Sequence, residues 1–548
     1  MNDLMDQAGK DVRPTVEFLT LAEELHSYIL SFLPWQDILR CTSVCKALRQ
    51  TYVSSSELQY IVELGGQQLL PVPIVDLGDH TSVSQRLQLL RDKAHAWFQF
   101  NLHAYSFQPF SMQEQFYEVE SSLADGHLYL WSRYHETEDL GNWAKIVPIL
   151  PKPSQQTIER HWSPGSLCSV PNAYVVDVYM DPTQNLIATA YTVNNDTLQE
   201  GRFYVELRSL DGDDIHPQAA GQTLFLSVLT AQDNHDWFTI TEVVKLKVLG
   251  RHLALQCSPV FDDPISTTSR VIWWLQLWDW QHSTTSNCNL SDTMTYFRES
   301  IDFCFVGNDR LLMASDELKL YSIEDMSREP QLLACYLLPF PVASMQCHLP
   351  INDIAHGSQM QMQAQQTMWT SDPEHRLLCY ATFRPRLVFV ISTRIFFDLD
   401  SKRVGEKAVT IPWQNWGPTN TRVFPDSWKL CVSGNRVLQA FPAGSRSQYR
   451  LHMMDFSPLA VERRQGLGRV VREPSETEIH KQGKALITSL PYVEVVSDIV
   501  FDAVELIGMW VDRDRIYLAK MMDPPEDNPG DRRMDQLKVI EMSIVDHS

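Results

Sequence analysis

The chain has no run of eighteen or more apolar residues, so nothing in it reads as a membrane-crossing helix. The apolar run Val271–Trp280 is interrupted by Gln276 and Asp279 and has the length of a strand. The ten cysteines include no C-x-x-C pair. Cys41 and Cys45 lie four apart on a helical pattern, but no His or Cys pair stands nearby at ligand spacing, so they read as core positions. No His-Glu-x-x-His and no Gly-x-Ser-x-Gly occurs, and Gly466-Leu-Gly468 lacks the third glycine of a phosphate loop. Asp211–Asp214 reads as a hairpin turn rather than a cation loop. Positive charge is scarce: 46 Lys and Arg face 68 Asp and Glu, a net charge of −22, and basic clusters amount to pairs such as Arg463-Arg464 and Arg532-Arg533. Nucleic-acid binding is therefore disfavoured. The opening MNDLMDQAGKDVRP lacks the apolar core of a signal peptide. The expectation is a cytoplasmic and/or nuclear protein with reduced thiols, in which the sequons at Asn195 and Asn289 have no consequence. Neither membrane, nucleic acid, metal nor cofactor is expected as a partner, and no catalytic residue is assigned.

What is present is a short apolar stretch, Phe18 to Val62, ahead of a long β-rich body. Thr20 and Glu23 have the spacing of a capping box, each side chain satisfying the other's backbone N–H. Leu21, Leu25, Tyr28, Ile29 and Phe32 then share one helical face, and Leu33-Pro34 stops the helix. A second helix fits Gln36 to Cys41 and a third Ser43 to Tyr52. About half of the stretch is apolar, more than so small a module can bury within itself. The surplus needs a cover, either the rest of the chain or another protein.

The residues Leu21, Glu24-Leu25, Ile29, Phe32-Leu33-Pro34, Asp37-Ile38-Leu39 and Val44-Cys45-Lys46-Ala47-Leu48 resemble the F-box motif in order and spacing. Ala22 stands where Pro is usual, and Leu48 where Trp often is. The resemblance implies docking on the Skp adaptor of a cullin-based SCF ubiquitin ligase. It assigns Leu21, Leu25, Ile29, Leu33, Pro34, Ile38, Leu39, Val44, Cys45 and Leu48 to the adaptor interface and the module's own core.

Behind this module, Ile61–Asp79, with Gly65-Gly66, Pro71 and Pro73, reads as a linker. Ser82–Phe100 reads as a helix capped by Ser82 or Ser84, with Val83, Leu87, Leu90, Ala94 and Trp97 on one face. It packs on the β body or on the F-box-like module. From about Phe116 the apolar period becomes two, in short runs separated by turns such as Gly307-Asn308 and Gly434-Asn435. Helices between strands are missing, which excludes a βαβ fold. Asp302–Asp325 is the clearest block of a repeated strand-turn-strand grammar. Asp177–Ser209, Val243–His282, His375–Ser401, Phe424–Ser457 and Ser497–Ile544 follow it, at about the 40 to 50 residues of a propeller blade. Phe116–Leu150 supplies a further blade or the closing strand, and most of Trp273, Trp274, Trp278, Trp280, Trp413 and Trp416 are expected between blades. Ser358–Met368 and Asp523–Arg533 read as flexible polar insertions.

The expected fold is a multidomain α+β chain. A tail covers 1–15, an all-α F-box of three helices 16–62, and a linker and connecting helix 63–110. A degenerate β-propeller of six or seven blades covers 111–548, with a β-sandwich as the alternative. Met180-Asp-Pro-Thr-Gln-Asn-Leu-Ile-Ala, Leu207-Arg-Ser-Leu, His216-Pro217, Ala96-Trp97 after Arg86–Arg91, and Trp413-x-x-Trp416-Gly-Pro with Thr421-Arg422 resemble fungal F-box proteins of the basidiomycete type. That similarity supports the architecture and names no substrate. The implied function is substrate recognition in an SCF-type ligase by a chain without catalysis of its own, with a Skp-type adaptor, through it a cullin ligase, and an unknown protein substrate as partners. A non-degradative F-box scaffold and a propeller enzyme with a helical cap are the alternatives.

Overall fold

The computed structural model describes residues 18–72, 81–100, 106–112, 119–124, 126–132, 142–149, 157–193, 202–226, 238–239, 244–258, 260–261, 270–294, 301–348, 368–399, 408–425, 429–463, 468–479, 484–502, 506–511, 515–520 and 534–541. The tail, nearly all of the Gln/Met-rich insertion and the 523–533 loop lie outside these residues.

Seven antiparallel sheets of four principal strands follow one another along the chain. Blade 1 is Val119–Ala124, His127–Ser132, Trp143–Pro148 and Arg160–Trp162. After a short helix, α6 by chain order (Pro164–Leu167), blade 2 is Ala173–Asp181, Leu186–Val193, Arg202–Ser209 and Thr223–Phe225. Blade 3 is Val244–Leu249, His252–Cys257, Arg270–Asp279 and Asn289–Met294; blade 4 is Asp302–Phe305, Arg310–Ala314, Glu317–Ser322 and Gln331–Leu337. Blade 5 is Ala343–His348, Leu377–Arg384, Arg386–Ser392 and Thr421–Pro425. Blade 6 is Leu430–Ser433, Arg436–Ala443, Ser445–Asp455 and Tyr492–Asp502. Blade 7 has only three strands of its own, Leu506–Val511, Arg515–Lys520 and Met534–Glu541. Its fourth is Ser106–Met112, which precedes blade 1 and pairs antiparallel with Met534–Glu541, Ser106 opposite Val539. The two ends of the β region thus close a ring of seven blades, and the β-sandwich alternative is excluded. Radial repetition of this kind leaves only short, protected strand edges.

Hydrophobic packing repeats the ring. One apolar cluster sits between each neighbouring pair of blades, including the pair formed by blades 7 and 1. Alternation along the strands supplies both faces of each blade with apolar residues. Trp278 and Trp280 fill the seam between blades 2 and 3, Trp273 that between 3 and 4, and Trp413 and Trp416 that between 4 and 5. Trp274 is half-buried. Gly434 takes a left-handed φ of 54° in the turn of blade 6, a conformation a side chain would strain.

The N-terminal part is helical: α1 (Glu23–Ser31), α2 (Trp35–Val44), α3 (Lys46–Ser54), α4 (Ser56–Gly66) and α5 (Val83–Gln99). Three expectations need correction. Thr20 does not cap α1: it ends a single 3-10 turn, Ala22 holds the cap position, and Glu23 instead accepts a hydrogen bond from Ser54 Oγ at 2.6 Å. The second and third helices are longer and shifted, and a fourth follows them. Ile61–Gly66 is the end of α4 rather than linker, and Leu69–Pro71 is a strand paired antiparallel with Trp369–Ser371. The two glycines serve close contact: a Cβ on Gly65 would lie 2.3 Å from the Trp35 ring, and one on Gly66 2.8 Å from Leu459 Cβ.

Leu459 belongs to α8 (Pro458–Arg463), the insertion between the third and fourth strands of blade 6; α7 (Trp413–Asn420) is the matching insertion in blade 5. Gln67 O accepts from Asn435 Nδ2 at 3.3 Å, and Gln68 O from the Asp372 N–H at 3.0 Å. Ser82 caps α5 in a capping box with Gln85. The helix packs on both bodies: Leu87 and Leu90 meet Tyr60 and Leu64 of α4, while Trp97 enters the core between blades 6 and 7. The helices are therefore mounted on one face of the ring, the face of the first-to-second-strand turns of blades 5 and 6.

Candidate functional site

Helix α1 has two apolar sides. Leu30 is buried with Ile38, Leu48, Leu58 and Val62, and Leu33 packs against them. His26 is buried on the same side, its Nε2 2.7 Å from Phe18 O. The other side carries Leu25, Tyr28, Ile29 and Phe32 at positions i, i+3, i+4 and i+7, exposed by 49, 63, 40 and 70%. Tyr28 and Phe32 meet edge to face at 4.9 Å, so the stripe is a formed surface. The Ser54–Glu23 and Ser27–Ser55 hydrogen bonds lock α1 against the end of α3. Beside it, Val44 at the end of α2 is the most exposed large apolar side chain among the described residues, and Val53 of α3 is also exposed.

The ten residues expected at the interface or core divide as follows. Ile38 and Leu48 are fully buried, while Leu21, Leu33, Leu39 and Cys45 are half-buried. Leu25, Ile29, Pro34 and Val44 face solvent. Tyr28 and Phe32, the largest exposed side chains of the stripe, are absent from that set. Their helical phase with Leu25 and Ile29, already visible in the sequence, is the signal that could have added them.

Reading the sequence also missed a polar cluster on the propeller axis, where the first strands of neighbouring blades touch. Asp302 of blade 4 is buried. Its Oδ1 accepts from Lys247 Nζ at 2.8 Å and the Phe303 N–H at 2.9 Å, with Lys245 Nζ at 3.2 Å; its Oδ2 accepts from the Cys347 N–H at 2.7 Å. Burial alone would raise this carboxyl, but the two ammonium groups and the N–H donor outweigh it and hold it at about 2. Asp177 of blade 2 repeats the pattern, accepting from the Val178 and Leu246 N–H groups. These contacts stitch blades 2 to 5 together. The Asp211–Asp214 turn likewise tightens a seam, with Asp213 2.5 Å from Arg160 of blade 1. Among the described residues no group of three His, Cys, Asp or Glu could hold a metal ion. No helix among them is long and apolar enough to cross a membrane.

A ring of seven four-stranded blades is a β-propeller. No family model and no curated protein matches the chain. Among solved structures it is similar to the WD40 domain of SCAP from fission yeast, at 9% identity over 81% of this chain and 96% of that one, TM-score 0.32. It is also similar to the Pyrococcus horikoshii acylaminoacyl peptidase, at 8% identity over 80% of this chain and 54% of that one, TM-score 0.33. A third is the β-propeller domain of the Trilobed protease from Pyrococcus furiosus, at 9% identity over 78% of this chain and 97% of that one, TM-score 0.29. The chain thus spans about half the length of the peptidase. Likenesses this distant carry no inference about activity.

Proposed function

We propose that the chain is a substrate receptor of an SCF-type ubiquitin ligase, docking on a Skp-type adaptor through α1 to α3 and holding a protein substrate on the propeller. The observation that carries this reading is the outward stripe Leu25, Tyr28, Ile29 and Phe32, on a helix whose other side is already buried. A helix that is apolar on both sides is matched to a second partner. The F-box-like order of residues in the same helices names the adaptor. The mounting supports it too: α4, α5 and the Leu69–Pro71 strand fix the helices to one face of the ring. The opposite face, with the second-to-third-strand turns, is left for a substrate. The chain itself makes and breaks no bond; it raises the effective concentration of substrate beside the charged enzyme. Size-exclusion chromatography of the full chain with purified Skp adaptor tests this. Co-elution as a one-to-one complex is expected, and separate elution of two folded proteins refutes it.

A further inference from the structure

We propose that the axis of the propeller binds a small free tetrahedral oxyanion, held by Lys245 and Lys247 of blade 3 and His348 of blade 5. The site is independent of the adaptor-docking surface.

The case rests on donors left over around a saturated carboxylate. An ammonium has three donors. Lys245 uses two, to Ile301 O at 3.1 Å and toward Asp302 Oδ1 at 3.2 Å. Lys247 also uses two, to Asp302 Oδ1 at 2.8 Å and Phe303 O at 2.6 Å. Asp302 has no capacity left, since its two oxygens already face the two ammonium groups and two backbone N–H groups. The lysine side chains remain 27 and 30% exposed. His348 is half-buried, and its imidazole has no hydrogen-bond partner among the described residues. It follows Cys347, whose N–H donates to Asp302 Oδ2 at 2.7 Å, so its strand borders the cluster; burial lowers it to about 4, and Asp302, Lys247 and Lys245 act on it electrostatically. On the first strand of blade 2, Asp177 accepts the Val178 and Leu246 N–H groups.

Two like charges sharing one carboxylate oxygen repel each other, and a second anion relieves that repulsion. Charge-assisted N–H···O bonds are the stronger class, and a tetrahedral oxyanion offers oxygens in several directions to donors on separate strands. A planar dicarboxylate does so less well. In a chain of net charge −22, a pair of half-buried ammonium groups on the axis stands out as a place for an anion.

The test titrates the full chain with inorganic phosphate by calorimetry and by thermal melting, at ionic strength matched with chloride, and with malonate in parallel. Saturable phosphate binding with a rise in melting temperature is expected. Lys245→Gln and Lys247→Gln should each weaken it by about tenfold, the loss of one charge-assisted contact. His348→Ala removes no ion pair, and so decides the matter if a lysine variant fails to fold; it should weaken phosphate severalfold. No saturable binding, equal affinity for malonate, or unchanged binding in His348→Ala would each overturn the proposal.

Discussion

Replacing Tyr28 and Phe32 together by Asp should abolish adaptor binding without touching the fold. Phe32 is 70% and Tyr28 63% exposed. An aromatic side chain buries roughly 200 Å² when fully covered, so the pair offers an adaptor about 260 Å². At about 25 cal/mol per Å² this is roughly 6 kcal/mol of transfer free energy. Only part of such area appears as affinity, because association also costs rigid-body freedom and side-chain order. Taking about half gives roughly 3 kcal/mol, more than a hundredfold in Kd. The carboxylates add to this, because they would be buried unpaired. The assay is biolayer interferometry of the full chain against immobilised Skp adaptor, with circular dichroism and melting temperature as fold controls. An unchanged Kd in a folded double variant refutes the docking assignment. Ile38→Asp is the wrong probe, since Ile38 is fully buried and a charge there unfolds the helices.

Three further outcomes follow from the packing. Asp302 sits at about 2 instead of 3.8, so the folded state binds its proton less readily than the unfolded chain. Its contribution, about 2 kcal/mol, is present above pH 4 and lost as pH falls from about 4 towards 2. Urea midpoints of wild type and Asp302→Asn should converge over that window, and parallel curves would contradict the assignment. Gly66→Val should loosen the mount by about 1–3 kcal/mol, because a Cβ there lies 2.8 Å from Leu459 Cβ. Limited proteolysis should then cut between the helices and the ring sooner than in wild type. Thiol labelling should reach half-buried Cys41 and Cys45 first. Burial pushes Cys288 and Cys335 up to about 12, so they should stay unlabelled until unfolding.

The ring was legible in sequence because each blade is a local unit. Asp302–Ser322 forms three adjacent strands within its own span, and alternation with turn residues reveals them. What closes the ring was not, since Ser106–Met112 pairs with a strand more than 400 residues on. The same holds for Leu69–Pro71, whose partner is Trp369–Ser371: a three-residue strand has no pattern of its own. Gly65-Gly66 misled because a glycine needed for close approach looks, in sequence, like one needed for flexibility. The α1 stripe was visible through its period, but whether the ring covered it depended on the mount. Lys245, Lys247 and His348 are dispersed over a hundred residues, and only the stacking of first strands around the axis brings them together.

Hydrogen exchange of the full chain, with and without a saturating Skp adaptor, tests the central claim most directly. The account predicts slowed exchange in α1 and in the adjoining ends of α2 and α3, with blades 1 to 7 unchanged. Binding with protection on the propeller alone, or no change at α1, would contradict it.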